Sequence, residues 1–387
     1  MTKKTTQGQY IGFGVLYLAF ELSSKNWKLG FSVGLGQKAR IRTIAAGNLE
    51  VLKAEIAAAK KRFGLDETCQ VVSCYEAGRD GFWLHRWSTA EGITNFVVDS
   101  SSIEVNRRRR RAKADRLDTA SLLRMLMRYH YCGEHKVWSI VRVPSVEEED
   151  RRQLHRELST LTKEKTRTRN RIVSLLVCQG IRLGSRMDLS DKRLESMRLW
   201  DGSPLPEGLK SRLQREWAHL VFLKQEVSTL VRKRQTAMRE HQRHPDLQSD
   251  LEKVQQLARL WAIGTVGSWV LVREFFGWRQ FKNRRQIGSL SGLTPTPYQS
   301  GDTNFEQGIS KAGIRQVREI AIELAWCWLR YQPDSKLSRW YNERFASGGK
   351  KARKVGIVAL ARRLLIELWK YLETGALPEG AELKAVA

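Results

Sequence analysis

Two aspartates in the run Lys113-Ala114-Asp115-Arg116-Leu117-Asp118 have the spacing and the chemistry of a metal site. Side chains three residues apart lie on one face of a helix, where two carboxylates repel each other unless a cation lies between them. Hard divalent ions such as Mg²⁺ take oxygen ligands of this kind. The same spacing is also common on solvated helix faces, so the pair alone leaves both interpretations open.

A run of five arginines directly precedes the acidic pair, and its members are Arg107, Arg108, Arg109, Arg110 and Arg111. The whole chain is basic, with 68 Lys+Arg against 41 Asp+Glu and a formal net charge of +27. Such an excess predicts a polyanionic partner, and nucleic acid is the main candidate because phosphate neutralisation dominates its binding. We therefore expect the arginine run and Lys113 to contact phosphates. A solvated basic loop is the alternative.

A membrane-surface protein is the competing class for so basic a chain. No long helix with a purely Lys/Arg polar face is evident, and no apolar run is long enough to span a bilayer. The five cysteines have scattered spacings that are typical of reduced thiols. We expect a cytoplasmic protein with no membrane partner.

The elements that would position the acidic pair form an α/β region over residues 10–145. Alternating or apolar runs predict strands at 15–21, 27–33, 39–44, 69–75 and 95–98. Helical periodicity covers 49–63 and 115–131, so the acidic pair opens a helix. Strands interleaved with helices predict a sheet with helices packed on it.

The rest of the chain is predicted to be all-α, in two parts. Residues 146–255 read as long charged helices that form an antiparallel hairpin, either a coiled coil with a second subunit or a simple spacer. Residues 256–375 are also predicted to be helical, with glycines that interrupt the helical pattern. This last part contains Gly292-Leu293-Thr294-Pro295, then Ser300-Gly301, then Ser310-Lys311-Ala312-Gly313.

Three blocks in this order resemble the DEDD-type transposases of the insertion-sequence-110 family, a bacterial group. The first is Tyr75-Glu76-Ala77-Gly78 at a strand end, and the second is Lys113-x-Asp115-x-x-Asp118. The third is the glycine- and serine-containing set between Gly292 and Gly313. The resemblance covers nearly the whole length and implies an N-terminal fold similar to the RuvC Holliday-junction resolvase, which is a version of the ribonuclease H fold.

The resemblance also implies that four acidic residues bind Mg²⁺ or Mn²⁺. Glu76, Asp115 and Asp118 match three of them, and the remaining position, normally an Asp on the opening strand, falls on Glu21. No aspartate precedes Asp66, so this departure is real. Mg²⁺ demands near-ideal octahedral geometry, and the side chain of Glu21 is one methylene longer than that of Asp. Either the strand is shifted to compensate, or the site binds the metal less tightly.

The same resemblance assigns Ser300 as a nucleophile that attacks a phosphodiester and links the protein to DNA. A serine needs a base or a metal to be activated, and no histidine lies nearby in sequence. Read without the resemblance, Ser300 is a turn residue beside Gly301. Lys311, Arg315 and Arg318 follow on a predicted helix, where they either clamp phosphate or form a solvated face.

The expected function is metal-dependent recombination between element DNA and target DNA. The resemblance further implies a structured guide RNA that is encoded by the element and pairs with both DNAs, and we expect a homodimer or tetramer. One alternative is a Holliday-junction nuclease that uses water and never Ser300. Another is a non-catalytic nucleic-acid-binding protein whose acidic site has decayed.

Overall fold

The computed structural model of the chain describes residues 14–78, 80–103, 115–184, 187–243, 249–300 and 303–384. At residues 101, 115–118, 249, 297–300 and 303–307 it describes the backbone alone. The chain divides into two units, Met1–Pro144 and Ser145–Ala387. Within the described residues, no helix combines the length and the apolar character that crossing a bilayer requires.

A five-stranded mixed sheet forms the first unit, in the order β3-β2-β1-β4-β5. Its strands are β1 (Val15–Leu22), β2 (Asn26–Ser32), β3 (Arg40–Ala45), β4 (Gln70–Glu76) and β5 (Thr94–Val98). β1, β2 and β3 pair antiparallel, while β4 pairs parallel with both β1 and β5. The predicted strands are confirmed, each within two residues of its expected bounds.

Helices cover both faces of this sheet, which explains the unbroken apolar run in β1. They are α1 (Leu49–Arg62), α2 (Trp83–Ala90) and α3 (Asp115–His130). Leu16 and Leu18 pack in one cluster with α1 and α2, whereas Tyr17 and Ala19 pack in another with α3. All of these β1 side chains are at most 2% exposed. A strand buried on both sides needs apolar residues at every position.

The second unit is mainly helical. Its helices are α4 (Val146–Asp150), α5 (Gln153–Val177), α6 (Asp191–Ser196), α7 (Glu207–Arg243), α8 (Ser249–Ala258), α9 (Thr265–Leu271), α10 (Arg284–Ser291), α11 (Arg315–Tyr331), α12 (Lys336–Tyr341) and α13 (Lys350–Thr374). Helices α8 to α13 bury a large cluster that includes Trp328, Leu360 and Leu364. The prediction of an α/β part followed by a helical part is therefore confirmed at this coarse level.

Helices α5 and α7 form the antiparallel hairpin that the charged pattern predicts. Near the end of α5, Arg171 Nε lies 2.7 Å from Glu216 Oε1 near the start of α7. At the other end, Leu154 of α5 and Met238 of α7 pack against the same buried cluster. Pairing of this hairpin with a second subunit as a coiled coil stays a prediction.

One feature of the second unit was not predicted: a two-stranded antiparallel ribbon of β6 (Pro295–Ser300) and β7 (Thr303–Ile309). Its sequence does not read as a strand because Pro295 and Pro297 cannot donate to a ladder. Proline is tolerated on edge strands, and both strands of a two-stranded ribbon are edges. The pairing is irregular between these two prolines.

Glycines allow the base of this ribbon to close. Gly292 ends α10 in the left-handed region, with φ of +67°, and Gly313 has φ of +78°. A Cβ at Gly313 would collide with the carbonyl oxygen of Leu290. The same backbone approach lets Ile314 N donate to Leu290 O at 2.9 Å. The glycines of the third sequence block thus have a direct packing reason.

A buried ion-pair cluster joins α5 to a π-helical turn, Val272–Phe276, that continues α9. Glu274 in this turn is 1% exposed. Its Oε1 lies 2.7 Å from His155 Nε2, and Arg156 donates to both oxygens, from Nε at 2.6 Å and from Nη2 at 2.9 Å. Burial favours protonation, but the bonds to His155 and Arg156 outweigh it and lower the pKa of Glu274 to about 2.

Candidate active site

Glu21 and Glu76 lie side by side at the carboxyl ends of neighbouring parallel strands. The β1–β4 register pairs Phe20 with Tyr75, the residues that directly precede the two glutamates. Phe20 and Tyr75 are each 1% exposed, which anchors both strand ends in the core. Glu21 is half-buried and Glu76 is exposed. The structure therefore brings together two of the four acidic residues that the sequence singled out.

A cavity of about 330 Å³ opens at this edge of the sheet. Its lining residues are Phe20, Glu21, Leu22, Glu76, Ala77, Gly78, Asp80 and Ser100. Three of these are acidic, and the cavity reaches solvent beside the exposed Glu76. Carboxylates at the carboxyl ends of adjacent strands are the common way in which a parallel sheet edge presents ligands.

Asp80 was not predicted to be a site residue. It stands four residues after Glu76 in the turn that follows β4. The sequence feature that could have identified Asp80 is an acidic residue in a glycine-containing turn directly after a buried strand. That signal is weak because Asp is frequent in turns for conformational reasons alone.

Backbone and side-chain hydrogen bonds hold the turn that follows Glu76. Ala77 N donates to Val98 O at 2.8 Å, and Ser100 Oγ donates back to Ala77 O at 3.0 Å. Tyr75 Oη donates to Gly81 O at 3.0 Å. The end of β5 is thereby fixed against the end of β4, which gives the cavity a defined wall.

Helix α3 packs across one face of this sheet. Near its beginning, Thr119 packs against Gly30 of β2, which pairs with Ala19 of β1. At its end, His130 lies 3.2 Å from the hydroxyl of Tyr17 on β1 and stacks near Phe96 of β5. Asp115 and Asp118 belong to the first turn of this helix, on the β2 side of the sheet. The side chains of these two aspartates lie outside the described part of the structure.

Carboxylate oxygens suit Mg²⁺ and Mn²⁺, and the two strand-end glutamates with Asp80 offer such donors around one cavity. Among the described side chains, which exclude those of Asp115 and Asp118, no three His, Cys, Asp or Glu residues are grouped as a metal site. The donor set at this edge fits a hard divalent ion in chemistry, and further oxygen ligands are needed to complete it.

Cys74 lies just before this edge, on β4, and is fully buried. Burial is the main cause that raises the pKa of its thiol, and the charge of Glu76 raises it further. A raised pKa makes the thiol less reactive, because the thiolate is the nucleophile.

Ser300 is the last residue of β6 and pairs with Thr303 across the ribbon. Its side chain lies outside the described part of the structure, so its surroundings stay a prediction. The ribbon is anchored at its base, where Ser310 N donates to Thr294 O at 2.9 Å and Thr296 Oγ1 donates to Gly308 O at 3.2 Å. Ser300 thus lies at the end of the ribbon that is distant from the helical core.

Comparisons with known proteins cover both the ribbon and the whole chain. The family model "Transposase IS116/IS110/IS902 family" matches residues 254–339, which span α8 to the ribbon and α11. The Sinorhizobium fredii (strain NBRC 101917 / NGR234) protein named "Putative transposase y4rJ" is 40% identical over 382 residues, covering 97% of this chain and 96% of that protein. The chain belongs to the IS116/IS110/IS902 transposase family.

A more distant relative supports the same assignment. The Yersinia enterocolitica protein named "Transposase for insertion sequence element IS1328" is 25% identical over 219 residues, 56% of this chain and 60% of its own length. Membership makes this protein a DNA-binding enzyme that cleaves and recombines DNA.

The basic residues predicted to hold phosphate in this transposase have different surroundings. Arg107 to Arg111 and Lys113 lie outside the described residues. Arg315 Nε lies 2.6 Å from Glu319 Oε1 on the same helix. Arg318 Nη1 donates to the carbonyls of Ser291 (3.3 Å) and Lys311 (3.1 Å). Arg318 therefore ties α10 to the segment before α11, and its phosphate role, like that of Lys311 and Arg315, stays a prediction.

Proposed function

We propose that this transposase is a metal-dependent recombinase with Ser300 as its nucleophile and Glu21, Glu76, Asp115 and Asp118 as its metal ligands. The observation that carries the proposal is the pairing of Glu21 and Glu76 around one cavity at the sheet edge. A five-stranded mixed sheet with helices on both faces supports the RNase H-like fold that this assignment implies.

The other two ligands, Asp115 and Asp118, begin α3, the helix that packs on the face of the sheet formed by β1 and β2. A divalent ion bound by these residues would stabilise charge on phosphate oxygens and favour ionisation of a nearby hydroxyl. The one difference from the family pattern is the extra methylene of Glu21, and the half-buried strand end fixes where its longer side chain begins.

In the proposed reaction, Ser300 Oγ forms a bond to the phosphorus of the DNA backbone, and the bond from phosphorus to the leaving strand oxygen breaks. The serine proton is lost to solvent, and the leaving oxygen gains one. A hydroxyl of the second DNA strand then attacks the serine phosphodiester and releases Ser300. This scheme requires the ribbon end and the acidic edge to meet, within one chain or between subunits.

A structured RNA encoded by the element is the proposed guide. The net charge of +27 is compatible with a second polyanion besides DNA. Base pairing would supply the sequence choice, while the protein would hold the backbone. A homodimer or tetramer is proposed as the working assembly, since recombination joins two DNA molecules.

The nucleophile is tested by trapping covalent protein–DNA adducts on denaturing gels. We expect adducts with the wild type and with Ser347→Ala, which changes an exposed serine of the same unit. Ser300→Ala should abolish them. DNA cut by the wild type with no adduct at any time would instead support hydrolysis by water and exclude the serine mechanism.

The guide is tested by binding of the noncoding transcript that flanks the gene. We expect salt-sensitive binding that is tighter than binding of a scrambled RNA of equal length, and strand exchange that requires the transcript. Full strand exchange by RNA-free protein would remove the guide from the proposal.

A further inference from the structure

A basic groove of about 400 Å³ lies between the two helices of the α5–α7 hairpin. Its lining residues are Arg171, Arg212, Arg215, Glu216 and His219. On α7, Arg212, Arg215 and His219 follow one another at intervals of three and four residues, so they share one helix face with Glu216 beside them. Arg171 adds a guanidinium from α5 on the opposite side. The groove therefore combines three arginines and a histidine with a single carboxylate.

The one carboxylate is already engaged by Arg171. Their closest atoms, Arg171 Nε and Glu216 Oε1, are 2.7 Å apart, and Arg171 Nη2 lies 3.4 Å from Thr168 Oγ1. Glu216 is 17% exposed in its side chain, so the pair is partly screened from water. It neutralises one arginine and fixes that guanidinium at the wall of the groove.

Arg212 and Arg215 have different surroundings from Arg171. Both are exposed, and neither makes a hydrogen bond or ion pair with any residue that the structure describes. Two like charges three residues apart disfavour the helix slightly, and exposed arginines contribute nothing to the core. Their placement in one groove is explained if an anion lies between them, because guanidinium groups match phosphate oxygens in geometry.

We propose that this groove binds the phosphodiester backbone of nucleic acid without reading its sequence. No Trp, Tyr or Phe lines it, so it lacks the platforms on which unpaired bases stack. The groove shares no lining residue with the acidic cavity or the ribbon, and it gives the hairpin a binding role besides any role in assembly. It depends only on nucleic-acid binding and not on the serine mechanism.

The test compares two double variants of the full-length chain. Arg212→Gln/Arg215→Gln removes both charges from the groove. Arg232→Gln/Arg239→Gln removes the same charge from exposed positions of the same helix outside it. Affinity is measured against salt concentration with two labelled probes, a DNA duplex of arbitrary sequence and an RNA hairpin of arbitrary sequence.

For the groove variant we expect affinity to fall by on the order of ten- to a hundredfold at low salt, equally for unrelated sequences. The slope of log affinity against log salt should become shallower by about two, one for each lost phosphate contact. The matched variant should change affinity less than about twofold. A loss with the duplex alone assigns the groove to DNA, and a loss with the hairpin alone assigns it to RNA.

Equal losses in the two double variants would show a general effect of net charge and overturn the proposal, as would unchanged binding of both probes. Arg212→Lys/Arg215→Lys guards against a folding artefact because it keeps the charge. It should retain the wild-type salt slope with a smaller loss of affinity. A loss as large as that of the glutamine pair would also contradict the proposal.

Discussion

Carboxylates occupy opposite surroundings in the two units of this transposase. At the sheet edge, Glu21 and Glu76 line a cavity that opens to solvent. In the helical unit, Glu274 is 1% exposed, and both of its oxygens are bonded to His155 or Arg156. A carboxylate enclosed by cations has no oxygen left for a ligand, whereas one beside an open cavity can receive a metal ion. The comparison separates an acid that holds the fold from acids that are available for chemistry.

The separation has an energetic consequence. Removing a partner from a buried ion pair leaves an uncompensated charge in a medium that solvates it poorly. Glu76 of the sheet edge is exposed instead, so an interaction that is lost with its charge should cost little. The first kind of change should therefore reduce stability, and the second should reduce activity while leaving stability intact.

The largest expected effect is on activity. Glu76→Gln should lower the rate of strand exchange by about a thousandfold or more, because a lost metal ligand removes several kcal/mol of transition-state stabilisation. The free energy of unfolding, measured by chemical denaturation, should change by less than about 1 kcal/mol, because Glu76 is exposed. Activity within tenfold of the wild type would remove Glu76 from the proposed site.

Next in size is the loss of stability in Glu274→Gln. Neutralising this residue leaves the buried Arg152 and the partly exposed Arg156 facing a neutral amide, which should cost about 3–5 kcal/mol in the free energy of unfolding. Thermal and denaturant unfolding measure this directly. A cost below about 1 kcal/mol is typical of an exposed pair. Such a value would contradict the claim that Glu274 stabilises the fold more than the acids of the sheet edge do.

The same residue predicts how stability depends on pH. The folded pKa of Glu274 is about 2, against an ordinary value of 4.5. Its contribution is complete above pH 4.5 and is lost as the pH falls toward 2, because only the unfolded state readily binds the proton there. The pH-dependent contribution of Glu274 to the free energy of unfolding should amount to about 3 kcal/mol. The free energies of unfolding of the wild type and Glu274→Gln, measured against pH, should therefore converge in acid. A constant difference between them would contradict a lowered pKa of Glu274.

A smaller effect is expected from metal binding at the sheet edge. Mg²⁺ at about ten times its dissociation constant should raise the free energy of unfolding by about 1.4 kcal/mol, because it binds only the folded state. Glu21→Gln/Glu76→Gln should abolish that increase. Calorimetry with and without the ion measures it, and an equal increase in the double variant would locate the metal elsewhere.

The smallest effect is expected for the exposed pair of Arg315 and Glu319, whose side chains are 77% and 49% exposed. Glu319→Gln should change the free energy of unfolding by less than about 0.5 kcal/mol. It serves as the matched control for Glu274→Gln, because both changes remove one carboxylate from an arginine. A large loss here would mean that the cost does not depend on burial.

The sheet and one half of the acidic site could be predicted from local patterns. Apolar runs that end in a charged residue identify the buried strands β1 and β4, and the family resemblance selected the glutamates at their ends, Glu21 and Glu76, as proposed site residues. Glu274 could not be found in this way, since its partners lie 118 and 119 residues away and it interrupts an apolar helical run. The ribbon around Ser300 was missed for another reason: its prolines argue against a strand unless that strand is an edge.

The closed base of the ribbon also bears on how the family can diversify. Two backbone hydrogen bonds, from Ser310 to Thr294 and from Ile314 to Leu290, close the base of the ribbon on the helical core. Sequence changes toward the far ends of β6 and β7 leave these two bonds in place. The reach and orientation of the serine can therefore evolve independently of the scaffold that carries it.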